Sequence, residues 1–85
     1  MSTNDRAQRL YPRVRPVGSE AAKAQIISGG KGVIACRLVD YSAGGACLEI
    51  FPMVAVPERF DLLHGGVKKK SRVVWRRGVR IGVAF

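Results

Sequence analysis

Apolar and polar residues alternate along this chain in short runs, with glycine or proline between them. A period of two is that of a strand with one buried face. Ala24–Ser28 reads as a first strand, and Gly29-Gly30-Lys31-Gly32 as the turn that ends it. Val33–Asp40, rich in Val, Ile and Leu, is a second strand. Ser42–Gly45 turns the chain into a third strand, Ala46–Phe51. Pro52 and Pro57 then bracket an irregular connection, because proline cannot donate to a central ladder. Arg59–Leu63 is a fourth strand, Gly65-Gly66 a turn, and Lys68–Trp75 and Val79–Phe85 the last two strands. Six short strands without a long helical segment imply an all-β fold, an antiparallel barrel or small sandwich, and a six-stranded barrel is the expectation.

The last hairpin can be read in more detail. Val79, Ile81, Val83 and Phe85 share one face, between Arg80, Gly82 and Ala84 on the other. Placing Val73 and Trp75 on the apolar face keeps Arg72 and Arg76 outside. A three-residue loop, Arg76-Arg77-Gly78, then pairs Trp75 with Val79 and Val73 with Ile81. This reading puts a bulge at Gly78 and Trp75 in the core.

Residues 1–20 are polar, carry Pro12 and Pro16, and show no steady period, so they read as a flexible basic arm ahead of a barrel over 21–85. Ser19–Gln25 has good helix formers but is too short to hold a helix without tertiary support, and is expected to lead directly into the first strand.

The chain has 85 residues, one small domain, and 47% of them are hydrophobic, which excludes a wholly disordered chain. Charge sharpens the picture. The formal net charge is +9, from 15 Lys and Arg against 6 Asp and Glu. Residues 21–66 balance, whereas Lys68, Lys69, Lys70, Arg72, Arg76, Arg77 and Arg80 face no acid in the final stretch. Such a field favours an anionic partner: a nucleotide, a nucleic acid or an acidic surface. The lysine run also reads as protection of a strand edge. Cys36 and Cys47 lie in strand-like runs and, with His64 as the only other soft ligand, do not make a zinc site. They read as buried free thiols in a reducing cytoplasm. No apolar run approaches membrane-spanning length and no signal peptide is evident, so no membrane insertion is expected. His64, between Leu63 and Gly65, has no acid or nucleophile partner in sequence and reads as a solvated loop residue, so catalysis is not expected.

Two clusters carry candidate chemistry: Arg9-x-x-x-Arg13 in the arm, and Asp40-x-Ser42-x-x-Gly45 at the junction of the second and third strands. Guanine presents O6 and N7 to an arginine fork, and its N1–H and N2–H₂ suit a carboxylate. Guanidinium groups also stack on purines and pair with phosphate. Asp40 and Ser42, two apart in extended backbone, point to one side, and Gly45 permits close backbone approach. Singly, each cluster is equally an ordinary basic segment or a self-satisfied turn.

Taken together, Arg9-Leu10-Tyr11-Pro12-Arg13, Asp40-Tyr41-Ser42-Ala43-Gly44-Gly45 and the ending Arg72–Phe85 resemble a PilZ domain, the bacterial receptor module for cyclic di-GMP. The stretch Val56–Leu62 is similar to short versions of that domain. The resemblance spans about Arg9 to Phe85 and implies ligand roles for Arg9, Arg13, Asp40, Ser42 and Gly45. It implies a non-enzymatic second-messenger receptor whose arm orders over the ligand and alters the surface shown to a downstream protein, in control of motility or exopolysaccharide. Gln8 departs from the commonest pattern, which has an arginine there, and no C-terminal helix follows Phe85. The alternatives are a PilZ-fold protein–protein interaction module without ligand binding, and a basic nucleic-acid-binding β domain, for which the sequence offers no exposed aromatic platform.

Overall fold

The structure is a computed structural model and describes residues 13–29 and 32–85. Six strands form a closed antiparallel barrel in the order β1-β2-β3-β6-β5-β4. They are β1 (Lys23–Ile27), β2 (Val33–Ser42), β3 (Gly45–Glu49), β4 (Arg59–His64), β5 (Val67–Arg77) and β6 (Arg80–Ala84). Closure leaves every strand paired on both sides, which removes the open edge that a small basic sheet would otherwise need to protect. One helical turn, α1 (Ser19–Ala22), runs directly into β1. It is held by tertiary contact, since Ala22 is buried and the Ala21 carbonyl accepts from His64 Nε2–H at 2.7 Å. His64 is thus the last residue of β4 and half-buried, not the solvated loop residue expected.

The inner face follows the period-two pattern. Ala24 and Ile26, Leu38, Ala46 and Leu48, Phe60 and Leu62, and Ile81 and Val83 fill the interior, with Ile50 and Val56 closing it from the β3–β4 connection. Ile34, Cys36, Tyr41 and Val73 pack against them half-buried. Ser71 is the polar exception on the inner face, and its hydroxyl donates to the Lys69 carbonyl at 3.1 Å. Both cysteines are free thiols. Burial pushes the Cys36 thiol up to about 11.

Two bulges interrupt the alternation. In β2, Leu38 pairs with Leu48 but Asp40 pairs with Cys47, so Val39 is an extra residue. In β5, Val73 pairs with Val83 but Trp75 pairs with Gly82, so Val74 is extra. This second bulge overturns the hairpin read from sequence. Val73 faces Val83 rather than Ile81, and Arg77 pairs with Arg80 around a two-residue turn, Gly78-Val79. Gly78 has φ +57° and no described non-glycine residue, Val79 included, has positive φ, the arrangement of a turn with glycine at its first central position. The inserted residue reverses the side-chain parity beyond it. Trp75 therefore leaves the core and lies 45% exposed. Arg76 moves to the inner side at the barrel's end, opposite Ile81, where its guanidinium donates to the Val56 carbonyl at 2.8 Å.

The strand registers also assign the barrel's two ends. The β1–β2 turn, the β3–β4 connection and the β5–β6 turn share one end. The β2–β3 and β4–β5 turns and Phe85 share the other. No described helix is long and apolar enough to cross a membrane.

Candidate ligand-binding face

The Asp40–Gly45 cluster sits on the outer surface where β2 turns into β3. Ser42 and Gly45 are cross-strand partners, and the Gly44 amide donates to Ser42 Oγ at 3.2 Å. Ser42 is buried, so its hydroxyl holds the turn together. Gly45 is fixed by sterics. A Cβ there would overlap the Val83 carbonyl oxygen of the neighbouring strand, so only glycine lets β3 and β6 approach. Two of the five motif residues thus have a demonstrable structural role.

Asp40 is aimed outward by the Val39 bulge. It forms an ion pair with Arg13, whose guanidinium and the carboxylate are both partly exposed. The backbone sets up this contact: Val14 and Tyr41 exchange two hydrogen bonds, N–H to O at 2.7 and 2.9 Å, which lays residue 14 beside β2. The structure therefore brings Arg13 and Asp40 together, with Ser42 and Gly45 on the adjoining turn. Arg9, like Gln8, Leu10, Tyr11 and Pro12, lies outside the described residues.

Register then shows what stands beside Asp40. Across four strands the outward row reads Asp40, Cys47, Gly82, Trp75. At about 4.8 Å between strands, the row spans about 14 Å. A Cβ on Gly82 would collide with the Trp75 indole, so the indole lies flat over the glycine. Above this row runs Arg37, Glu49, Arg80, Arg77; below it runs Ser42, Gly45, Ala84, Arg72. Arg80 Nε donates to Glu49 at 3.4 Å. Cys47 is the buried floor of this face, and its thiol is pushed up by burial first and then by Asp40, while Arg80 and Arg13 pull it down. The face therefore combines a carboxylate, several guanidinium groups, a small-residue floor and an exposed aromatic ring.

Trp75 is the residue that sequence reading missed. Only the bulge reveals it, and nothing in Val73-Val74-Trp75-Arg76 marks which valine is the extra one. A cleft of about 310 Å³ opens beside the face, between Arg15 and Pro16 on one side and Arg37, Glu49 and Arg80 on the other. A larger cleft, about 620 Å³, contains none of the motif residues; it lies against Arg59, Lys70, Arg72 and Phe85. Chemistry, rather than size, singles out the Asp40 face, since the carboxylate, the guanidinium groups and the ring share its outward rows. A scan against protein-family models found no match, and a search of curated proteins found none either.

Proposed function

We propose that this protein is a non-enzymatic receptor for cyclic di-GMP, bound on the outer face of β2, β3, β6 and β5. The observation that carries the reading is the outward row from Asp40 to Trp75 with Arg13 already drawn to Asp40. Asp40 offers an acceptor for the guanine N1–H and N2–H₂ edge. Arg13 supplies a fork for O6 and N7 or for a phosphate oxygen. Trp75 supplies a surface on which a purine can stack. The resemblance to PilZ domains supports the same assignment and adds Arg9. It also supports a bacterial, cytoplasmic signalling role in which the liganded face is read by a downstream protein, in motility or exopolysaccharide control.

Titration calorimetry with purified protein tests the proposal. Cyclic di-GMP is expected to bind, Arg13→Ala and Asp40→Ala each to weaken binding at least about tenfold, and Trp75→Ala to cost about 1–3 kcal/mol of stacking. Absence of heat at ligand concentrations far above micromolar would refute it. A second reading gains from the structure: an exposed tryptophan among cations is also a platform for single-stranded nucleic acid. Competition separates the two. Cyclic di-GMP displaces a bound oligonucleotide if the first reading holds, whereas steep salt dependence without nucleotide preference supports the second.

A further inference from the structure

The β3–β4 connection exposes apolar side chains that nothing in the barrel uses. Residues 51–55, Phe-Pro-Met-Val-Ala, are all exposed; Phe51 is 85% accessible, Val54 44% and Met53 37%. The two residues that flank this tip are buried, Ile50 at 1% and Val56 at 7%. Both ends are also tied to the rest of the barrel. The Ile50 amide donates to the Val79 carbonyl at 2.7 Å, and Arg76 donates to the Val56 carbonyl at 2.8 Å. The tip is therefore a fixed apolar projection at the end of the barrel that also carries the β5–β6 turn. Contiguous exposed apolar surface of this kind marks a contact site.

Its surroundings indicate the partner. Residues 51–55 contain no charge and no hydrogen-bonding side chain. A protein pocket ordinarily fixes orientation through such groups, whereas the apolar layer of a bilayer needs none. Arg76 and Arg77 stand at the adjoining end of β5, and the chain as a whole carries +9. Exposed apolar side chains at an end that also carries Arg76 and Arg77 match a membrane surface with anionic headgroups.

We propose that the Phe51–Ala55 tip docks the barrel peripherally on an anionic lipid surface, with Phe51 and Met53 entering the headgroup–acyl boundary. This contact crosses no membrane and uses none of Arg13, Asp40, Ser42, Gly45 or Trp75, so it stands or falls independently of the ligand proposed above.

Co-sedimentation of the full chain with vesicles tests it. Vesicles of phosphatidylcholine with about one quarter phosphatidylserine should carry the protein down, and phosphatidylcholine alone should not. Phe51→Asp should weaken the binding by roughly tenfold or more, without lowering the thermal midpoint, because the side chain it replaces is exposed. In a Trp75→Phe background, Phe51→Trp should shift its emission to the blue on adding the anionic vesicles. No binding to anionic vesicles overturns the proposal. Binding that survives Phe51→Asp with no emission shift overturns it too, leaving charge attraction alone. Light scattering that shows a dimer lost in Phe51→Asp, with no vesicle binding, assigns the tip to a second copy of the chain instead.

Discussion

Gly45 and Gly82 are adjacent on the same outer face, yet they answer to different neighbours. At Gly45 the obstacle to a Cβ is backbone, the Val83 carbonyl, which cannot move without separating β3 from β6. At Gly82 it is the Trp75 indole, which can swing away. Gly45→Ala is therefore expected to cost more than about 2 kcal/mol, and Gly82→Ala less than about 1.5 kcal/mol, in urea unfolding. Gly82→Ala should also change tryptophan emission, because it displaces the ring. Cys36 gives a pH signature. Its folded-state thiol lies at about 11 against an ordinary value of 9.0. Between those values the unfolded chain releases the proton and the folded chain keeps it. Stability is thus fully present below pH 9 and declines as pH rises towards 11. Denaturation midpoints across this range should fall less steeply in Cys36→Val than in the parent. At this scale the sequence was partly legible. Gly45 was read as a place of close approach, which it is, and Asp40 and Ser42 as pointing to one side, which they do by register. Ser42's bond to the Gly44 amide was visible only as one of two readings, because a turn hydroxyl and a ligand hydroxyl leave the same mark in sequence.

Among the elements, the six strands were legible because alternation and glycine–proline punctuation agree along the chain, and their observed ends differ from the reading by only a few residues. Phe51 left the third strand, since proline follows it and the ladder ends at Glu49. The closing hairpin was misread because two turn solutions compete there. A three-residue loop keeps Trp75 inside with its bulge at Gly78, while a two-residue turn requires an extra residue within β5. The molecule takes the second, which gives Arg76 the Val56 carbonyl and lets Trp75 cover Gly82. The turn itself rests on Gly78 at φ +57°, a conformation that costs a side-chain-bearing residue roughly 1–2 kcal/mol. Gly78→Ala should lower the unfolding free energy by about that amount, and Val79→Ala, with Val79 at negative φ, should lower it by less. Chemical denaturation of the two variants side by side checks this.

Over the whole molecule, the barrel was legible and the distribution of its charge was not. The sequence placed its cations at the two ends of the chain, but folding brings Arg13 from one end and Arg80 from the other close enough to Cys47 that both act on its thiol. The net charge of +9 on a compact body, with a radius of gyration of 12.6 Å, implies self-repulsion at low salt. The Debye length falls from about 30 Å at 0.01 M to about 8 Å at 0.15 M. The thermal midpoint should therefore rise over that interval and then level off. A saturating concentration of the proposed nucleotide should raise it further at low salt, and the Asp40→Ala variant should lose that added shift.

The two bulges bear on how such a face can arise or be lost. Val39 precedes Asp40, and Val74 precedes Trp75, so each outward site residue follows directly on an inserted one. Had the strands paired without their bulges, Val39 and Val74 would stand opposite Cys47 and Gly82, and Asp40 and Trp75 would turn inward opposite Ala46 and Ile81. The face is thus encoded by strand pairing as much as by residue type. A single-codon deletion of Val39 or Val74 would straighten its strand and leave Asp40 opposite Cys47 and Trp75 opposite Gly82, so a homologue lacking one valine would keep the outward row although its residue spacing differs.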